Sequence, residues 1–386
     1  MSQLIYLIAG EPSGDALGAR LMAGLKEATG GDIRFAGIGG ALMRAEGLDS
    51  LFPMAELSVM GLVEVLPRIP NILRRVKQTL ADIGQKAPDA VLTIDSWGFT
   101  GRVQRGVRRR FPAIARIHYV APMVWAWRPK RAGELAKVLD LLLTLLPFEP
   151  PWFEKEGLKA VHVGHPVIES GLDKGDGPAF RRRHGIAADA SVLLVLPGSR
   201  RSETGQMLPV FGAALDLLAR KHPGLTVVVP TVETVTAPVR AAAADWPVPT
   251  VVIEGRAEKA DAFAAATAAM AASGTVSLEL ALARVPTVIA YRVAPLTAFL
   301  ATRLLGLRVK FATLVNVVMN APVMPELLQK RCRSDLVAAA VDRLLTDEHA
   351  RSVQIAASAA GLRLLAGDGH PGQVAAEAVL AHLRNR

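Results

Sequence analysis

The stretch 270–291, MAASGTVSLELALARVPTVIAY, decides how the rest of the chain is read. Small apolar residues lead into Ser273-Gly274-Thr275. Val276, Leu278, Leu280 and Leu282 follow as an apolar-periodic segment, and after Pro286 comes the β-rich run Thr287–Tyr291. The order predicts strand, tight turn, helix, turn, strand. Ser273 or Thr275 is expected to cap the helix, and Gly274 to let the backbone approach a ligand closely. A helix start carries partial positive charge and unpaired N–H groups, which suit a phosphate. Glu279, one turn further on, is placed to accept two hydroxyl hydrogens. A nucleotide with its diphosphate on the turn and its ribose on Glu279 would satisfy both. An ordinary capped helix of an α/β domain accounts for the same residues, and the two readings stand side by side.

Working outward, 386 residues suffice for two domains. A hydrophobic share of 51% with 21% charged residues describes a globular chain with an ample core, not a disordered one. The single cysteine, Cys332, excludes an internal disulfide, and no Cys/His cluster has metal-site spacing, so no cofactor and no metal is expected. The N-terminus lacks the features of a signal peptide, and no window reaches the length of a spanning helix, so a cytoplasmic chain is expected. A formal charge of +10 favours a polyanionic partner: nucleic acid, anionic lipid or a phosphorylated substrate.

Alternating strand and helix patterns run the length of the chain. Gln3–Ala9 reads as a buried parallel strand, followed by the turn Gly10-Glu11-Pro12-Ser13-Gly14-Asp15 and a helix. Such a turn after a first strand is where ligands sit in open α/β sheets. Gly37, Gly39 and Gly40 form only a fragment of a dinucleotide fingerprint. Between Glu56 and Gln85 apolar and basic residues crowd together, with Met60, Leu62, Val63 and Leu66 beside Arg68, Arg74, Arg75 and Lys77. That make-up suits a segment lying in a membrane interface, although a core-facing helix after a Pro-rich turn fits as well. Asp95 closes the strand Ala90–Ile94, where it either meets a ligand or caps the next helix. A loop with Trp125 and Trp127 among Arg128, Lys130 and Arg131 follows the strand 114–119. After a polar connection at 169–191, Val192–Leu196 restarts the pattern. Pro197-Gly198-Ser199-Arg200 then makes a second strand-to-helix turn, followed by helix Met207–Lys221. Three helical segments end the chain.

Six motifs stand in register: Gly10-Glu11-Pro12-Ser13-Gly14-Asp15, Tyr119-Val120-Ala121-Pro122 with Val124-Trp125-Ala126-Trp127, Leu146-Pro147-Phe148-Glu149, Val163-Gly164-His165-Pro166, Leu196-Pro197-Gly198-Ser199-Arg200, and Ala272-Ser273-Gly274-Thr275 with Leu278-Glu279. Together they resemble the lipid A disaccharide synthases over nearly the whole chain. The resemblance implies an α/β, GT-B-like fold with two Rossmann-like β/α/β domains facing across a cleft, plus C-terminal helices. Residues 1–168 would form an acceptor and membrane-facing domain, 169–350 a UDP-sugar-binding domain, and 351–386 helices packing back on the first. The implied reaction is inverting transfer from UDP-2,3-diacylglucosamine to the 6-hydroxyl of 2,3-diacylglucosamine 1-phosphate, releasing UDP. Asp95 would be the base, Arg200 with Ser273, Gly274 and Thr275 would surround the diphosphate, and Glu279 would hold the ribose. Glu11, Ser13, Gly14 and Asp15 would line the substrate site, with Asn316 and Gln329 beside the sugar donor. The implied partners are the two acylated sugars and an anionic membrane surface, not nucleic acid, with homo-oligomer formation left open. The chain would sit in the cytoplasm, peripherally on the inner membrane. Departures from the family pattern are Pro12, the run Ser96-Trp97-Gly98-Phe99, and Asn320-Ala321-Pro322, where an arginine is expected.

Rival readings are a UDP-sugar epimerase on the same fold, a dinucleotide oxidoreductase resting on the three glycines, and a non-catalytic peripheral membrane scaffold.

Overall fold

The computed structural model describes residues 2–57, 69–255, 257–292 and 310–386. The chain forms two compact units, Met1–Pro166 with Leu365–Arg386, and Val167–Leu364. In the first unit the strands are β1 (Gln3–Ala9), β2 (Ile33–Ile38), β3 (Ala90–Ile94), β4 (Ala115–Tyr119), β5 (Leu141–Thr144) and β6 (Ala160–His162). Its helices are α1 (Pro12–Ala28), α2 (Ala41–Ala45), α3 (Ile69–Lys86), α4 (Trp97–Arg110), α5 (Arg131–Ala136) and α6 (Pro150–Glu154). The strands are short apolar runs because both sheet faces are covered, leaving no solvent face to demand alternation. All pair in parallel, in the order β2-β1-β3-β4-β5-β6.

The second unit repeats the scheme. Its strands are β7 (Val192–Leu196), β8 (Thr226–Thr231), β9 (Thr250–Glu254), β10 (Ala268–Ala271), β11 (Thr287–Tyr291) and β12 (Glu326–Leu328), in the order β12-β11-β10-β7-β8-β9. The helices are α7 (Gly177–Arg183), α8 (Arg201–Lys221), α9 (Glu233–Ala244), α10 (Lys259–Ala264), α11 (Val276–Leu282), α12 (Leu314–Met319), α13 (Ser334–Thr346) and α14 (Glu348–Ala366). One helix more, α15 (Pro371–Arg384), returns to the first unit and packs on α1. The approach is close: a Cβ on Gly24 would stand 2.7 Å from the carbonyl oxygen of Gly372.

Strand order fixes where ligands can enter. The chain leaves β1 toward β2 on one side and resumes at β3 on the other, so the loops after β1 and β3 diverge and leave a crevice. In the second sheet the reversal falls between β7 and β10. The turns at 10–15, 95–96, 197–200 and 272–275 therefore border the two switch points.

Several local expectations need correction. Helix α8 begins at Arg201, six residues before Met207, because the turn at 197–200 feeds it directly. Gly37 and Gly40 serve packing rather than a dinucleotide. At φ +135 a Cβ on Gly37 would lie 1.8 Å from the Leu7 carbonyl oxygen, and one on Gly40 would lie 2.5 Å from Asp15. Asp15 itself is buried, and its carboxylate accepts the N–H groups of Gly40 at 2.8 Å, Leu42 at 3.0 Å and Met43 at 3.0 Å. It caps α2 from 25 residues away.

Of the apolar-basic segment, Met60, Leu62, Val63, Leu66 and Arg68 lie outside the described residues. Helix α3 buries Val76, Leu80 and Ile83, while Ile69 and Leu73 remain 40% and 46% exposed. Arg75 is bound on both sides, hydrogen-bonding Glu56 and lying 4.3 Å over the Phe52 ring. Arg74 is exposed and donates to Asn71. Among the described residues no helix is long and apolar enough to cross a membrane.

Replacing the Asp15 carboxylate strands three backbone donors. Asp15→Ala is expected to lower stability by about 2–4 kcal/mol, and Asp15→Asn, which keeps one acceptor oxygen, by less. Denaturant titration of both variants checks this, and a change under about 0.5 kcal/mol would remove the cap from the account.

Candidate active site

In the first unit the switch point is marked by strained backbone. Asp95 and Ser96 both adopt left-handed conformations, at φ +50 and φ +47. Two consecutive residues with a side chain rarely do so, and such strain persists only where surrounding bonds enforce it. Here they do. The Asp95 N–H donates to the Tyr119 carbonyl at 2.9 Å, and its own carbonyl accepts the Thr100 hydroxyl at 2.8 Å. Its carboxylate accepts the Ser96 N–H at 2.7 Å, and the half-buried side chain stands at the carboxyl end of β3. Across the crevice, Glu11 takes the N-cap position of α1 without capping it. Its carboxylate accepts the Ser96 hydroxyl at 3.1 Å instead. Sequence reasoning gives Ser96 no place in the site. No pattern along the chain foretells a serine that joins the loops after β1 and β3.

Ser13 is exposed at the start of α1. Gly14 is buried, and a Cβ added to it would lie 3.4 Å from that of Ala9. Beside this point lies a cavity of about 320 Å³. Glu11, Ser96 and Arg102 give it a polar end, while Leu57, Ile69, Ile72, Leu73 and Phe99 make the remainder apolar. Beneath it, His118 is fully buried, with its ring 4.8 Å from that of Trp97. Burial pushes its pKa down to about 3, so it stays neutral and is unsuited to proton transfer at neutral pH. Glu149, also buried, accepts the Trp125 indole N–H at 3.2 Å and the Leu146 N–H at 3.1 Å, with burial raising its carboxyl to about 7.

In the second unit the stretch 270–291 folds as strand, turn, helix and strand. The caps differ from expectation. Neither Ser273 nor Thr275 caps α11 with its side chain; Ser273 donates to the Ala312 carbonyl at 3.3 Å, and Ser277 to that of Gly274 at 2.9 Å. Gly274 is exposed, and an added Cβ there would meet nothing within 4 Å. The N–H groups of Gly274, Thr275 and Val276 find no acceptor among the described residues. Glu279 lies in the first turn of α11 and is paired with Lys259 at 2.6 Å. Lys259 comes from α10, twenty positions earlier, and nothing in the local sequence announces it.

The turn after β7 is electrically closed. Gly198 is left-handed, and its missing Cβ makes room for Glu203. That carboxylate accepts the Ser199 N–H at 3.2 Å, pairs with Arg200 at 2.7 Å, and hydrogen-bonds Tyr291 from the end of β11. Arg200 keeps 57% of its side chain exposed. Asn316, by contrast, is turned into the fold. It is fully buried, donating to the Met324 carbonyl and to Glu326 at 2.8 Å each and accepting the Met324 N–H at 2.8 Å. Gln329 is exposed and left-handed at φ +50, immediately beyond β12. Thus Arg200, Ser273, Gly274, Thr275 and Glu279 share one end of the second sheet. Glu11, Ser13, Asp95 and Ser96 share one end of the first.

Comparison with known proteins gives these sites a family. Among solved structures, an S. aureus MnaA–UDP co-structure superposes with a TM-score of 0.64 at 14% identity, covering 100% of this chain and 96% of that one. The calicheamicin glycosyltransferase CalG4 gives 0.60 at 17%, covering 100% and 99%. At such identities the likeness speaks for the fold alone, and the fold is GT-B, two Rossmann-like units with parallel sheets. Curated relatives are far nearer. The lipid-A-disaccharide synthase of Paramagnetospirillum magneticum is 63% identical over 382 residues, 99% of this chain and 98% of that one. That of Rhodospirillum centenum is 56% identical over 384 residues, covering 99% and 95%. The family model described as lipid-A-disaccharide synthetase matches residues 5–365, and the chain accordingly belongs to that family of glycosyltransferases.

Proposed function

We propose that the chain transfers the sugar of UDP-2,3-diacylglucosamine to the 6-hydroxyl of 2,3-diacylglucosamine 1-phosphate, with inversion, giving the β-1,6-linked lipid A disaccharide and UDP. What carries this reading is the match to lipid-A-disaccharide synthases along the whole chain. It sets aside the epimerase and the scaffold. The chemistry agrees with the residues at hand. Asp95 removes the proton of the acceptor 6-hydroxyl as its oxygen attacks the anomeric carbon. The bond from that carbon to the UDP oxygen breaks, and the diphosphate keeps the electron pair. Arg200 and the N–H groups at Ser273, Gly274 and Thr275 hold the charge that develops there. Glu279 exchanges Lys259 for the ribose hydroxyls. Glu11 and Ser13 orient the acceptor, and Gly14 admits it. Asp15 and Asn316 act from behind as positioning residues, Asp15 by fixing α2 and Asn316 by ordering the segment that ends at Gln329, which faces the donor sugar. Incubating the purified chain with both acylated substrates, followed by mass spectrometry, tests the reading; absence of disaccharide would overturn it.

Both substrates carry two acyl chains and reside in a bilayer, so the chain must dock on one. We place it peripherally on the cytoplasmic face of the inner membrane, through the segment 59–80. Support comes from the exposed Ile69 and Leu73 next to Arg74 and Lys77. Cations near an anionic surface add about 1 kcal/mol each.

Asp95→Asn is expected to fold normally and to turn over about 10²-fold more slowly, the usual scale for losing a positioned base. Wild-type rates at neutral pH in that variant would dismiss Asp95. For Glu279→Ala the expectation is a raised donor KM and UDP affinity weaker by about 1.5–3 kcal/mol, read by calorimetry. Unchanged affinity would leave Glu279 as a partner of Lys259 only. Replacing Ile69 and Leu73 together by serine should weaken binding to anionic vesicles while sparing UDP binding. Salt should weaken the parent's vesicle binding without abolishing it. Equal vesicle binding by variant and parent would move the docking surface elsewhere.

A further inference from the structure

The loop after β4 does more than its packing explains. One half is fixed: Val124 and Ala126 are buried, Trp125 is held by Glu149, and the Phe148 ring meets that of Trp125 edge-on at 5.2 Å. The other half gathers cations. Arg128 is left-handed at φ +56, and its carbonyl accepts the Arg131 N–H at 2.9 Å, which ties the two arginines together. Its guanidinium lies 4.9 Å over the Trp127 ring, and that of Arg131, from the first turn of α5, lies 6.0 Å from the same ring. Arg105, from α4, lies 5.8 Å over the Trp97 ring. Arg131 feels both neighbours. Burial lowers its pKa most, the charges of Arg128 and Arg105 lower it further, and Glu134 alone opposes them. Among the described residues, none of the three guanidiniums has a carboxylate within 4.0 Å. Elsewhere in this unit Arg75 and Arg116 are each paired with an acidic side chain.

Three arginines set near two indole rings, mutually repelling and with no carboxylate in contact among the described residues, are arranged for an anion, since Glu134 opposes their charge only at longer range. A guanidinium near an indole ring keeps its N–H donors available, and their planar fork suits phosphate oxygens. The place is informative too. Trp97, under Arg105, lines the cavity of about 320 Å³ together with Glu11 and Ser96. We propose that Arg105, Arg128 and Arg131 form a phosphomonoester site, and that it takes the 1-phosphate of the acceptor sugar lying in that cavity. This rests on the acceptor reading above and adds to it the group that tells a phosphorylated acceptor from an unphosphorylated one. A phospholipid headgroup offers the same chemistry, so the experiment separates the two.

The full-length chain, the double variant R128Q/R131Q and the variant R105Q are compared in detergent micelles with two acceptors. One is 2,3-diacylglucosamine 1-phosphate, the other the same sugar with a free 1-hydroxyl. In the parent, removing the phosphate should reduce kcat/KM by about 30-fold or more. Each variant should lose about tenfold with the phosphorylated acceptor, chiefly through KM, and no more than about twofold with the hydroxyl acceptor. UDP affinity should not move, and R128K/R131K should recover only part of the loss, because lysine keeps charge but not the fork. Equal losses with both acceptors would overturn the proposal in favour of a purely structural role. Unchanged kinetics combined with lost binding to phosphatidylglycerol vesicles would overturn it in favour of a lipid headgroup. If the parent makes no disaccharide from any acceptor, the functional reading fails and the assignment of this site to the acceptor phosphate falls with it.

Discussion

Everything chemical in this chain depends on a constraint of parallel sheets. Strands running the same way need crossovers, and where successive crossovers leave in opposite directions the loops at the strand ends part. The first sheet reverses between β1 and β3, the second between β7 and β10. Each reversal exposes two loop starts side by side, with strand ends and helix starts pointing into one space. Glu11 and Ser96 meet across the first, 85 positions apart in sequence. Arg200 and Ser273 border the second. The acidic residues of the first and the arginine and glycine turn of the second thus occupy equivalent positions in two separate sheets.

Net charge is a poor guide to what a partner meets. Several of the basic residues are paired locally: Arg116 with Asp140, Arg183 with Glu258 and Asp261, Arg75 with Glu56. Exposed pairs of this kind add little to stability, but they remove a cation from the set available to a ligand. Arg105, Arg128 and Arg131 lack such partners among the described residues and lie near indole rings instead. A phosphate, nucleotide or lipid is drawn to residual cations, and these are placed by tertiary structure.

The elements themselves were legible. Val192–Leu196 is a strand with the bounds its apolar run implies, and Asp95 stands at a strand end as the pattern requires. Three of the six motifs that carry the family resemblance, at 10–15, 196–200 and 272–275, fall on loops bordering the two reversals, and the other three follow β4, β5 and β6. Less legible were the partners. Asp15 sits inside a glycine-rich turn and looks like a ligand residue, yet its acceptors are filled by N–H groups 25 to 28 positions away. Asn316 is drawn inward by Met324 and Glu326, and Glu279 meets a lysine from another helix. Local pattern reports which backbone conformation a stretch prefers. It does not report which polar group from a distant turn arrives to satisfy it, because that is settled by register and crossover.

The seat taken by Glu203 has a consequence for the order of events. With Gly198 giving way to it, this carboxylate already holds the Ser199 N–H and the Arg200 guanidinium, the groups a diphosphate would grasp. On the proposed reading, a nucleotide arriving there would exchange one anion for another. The loop is ordered by its own carboxylate beforehand. The same carboxylate would compete with a spent diphosphate for those donors, so occupancy there would be set by two anions and not by one.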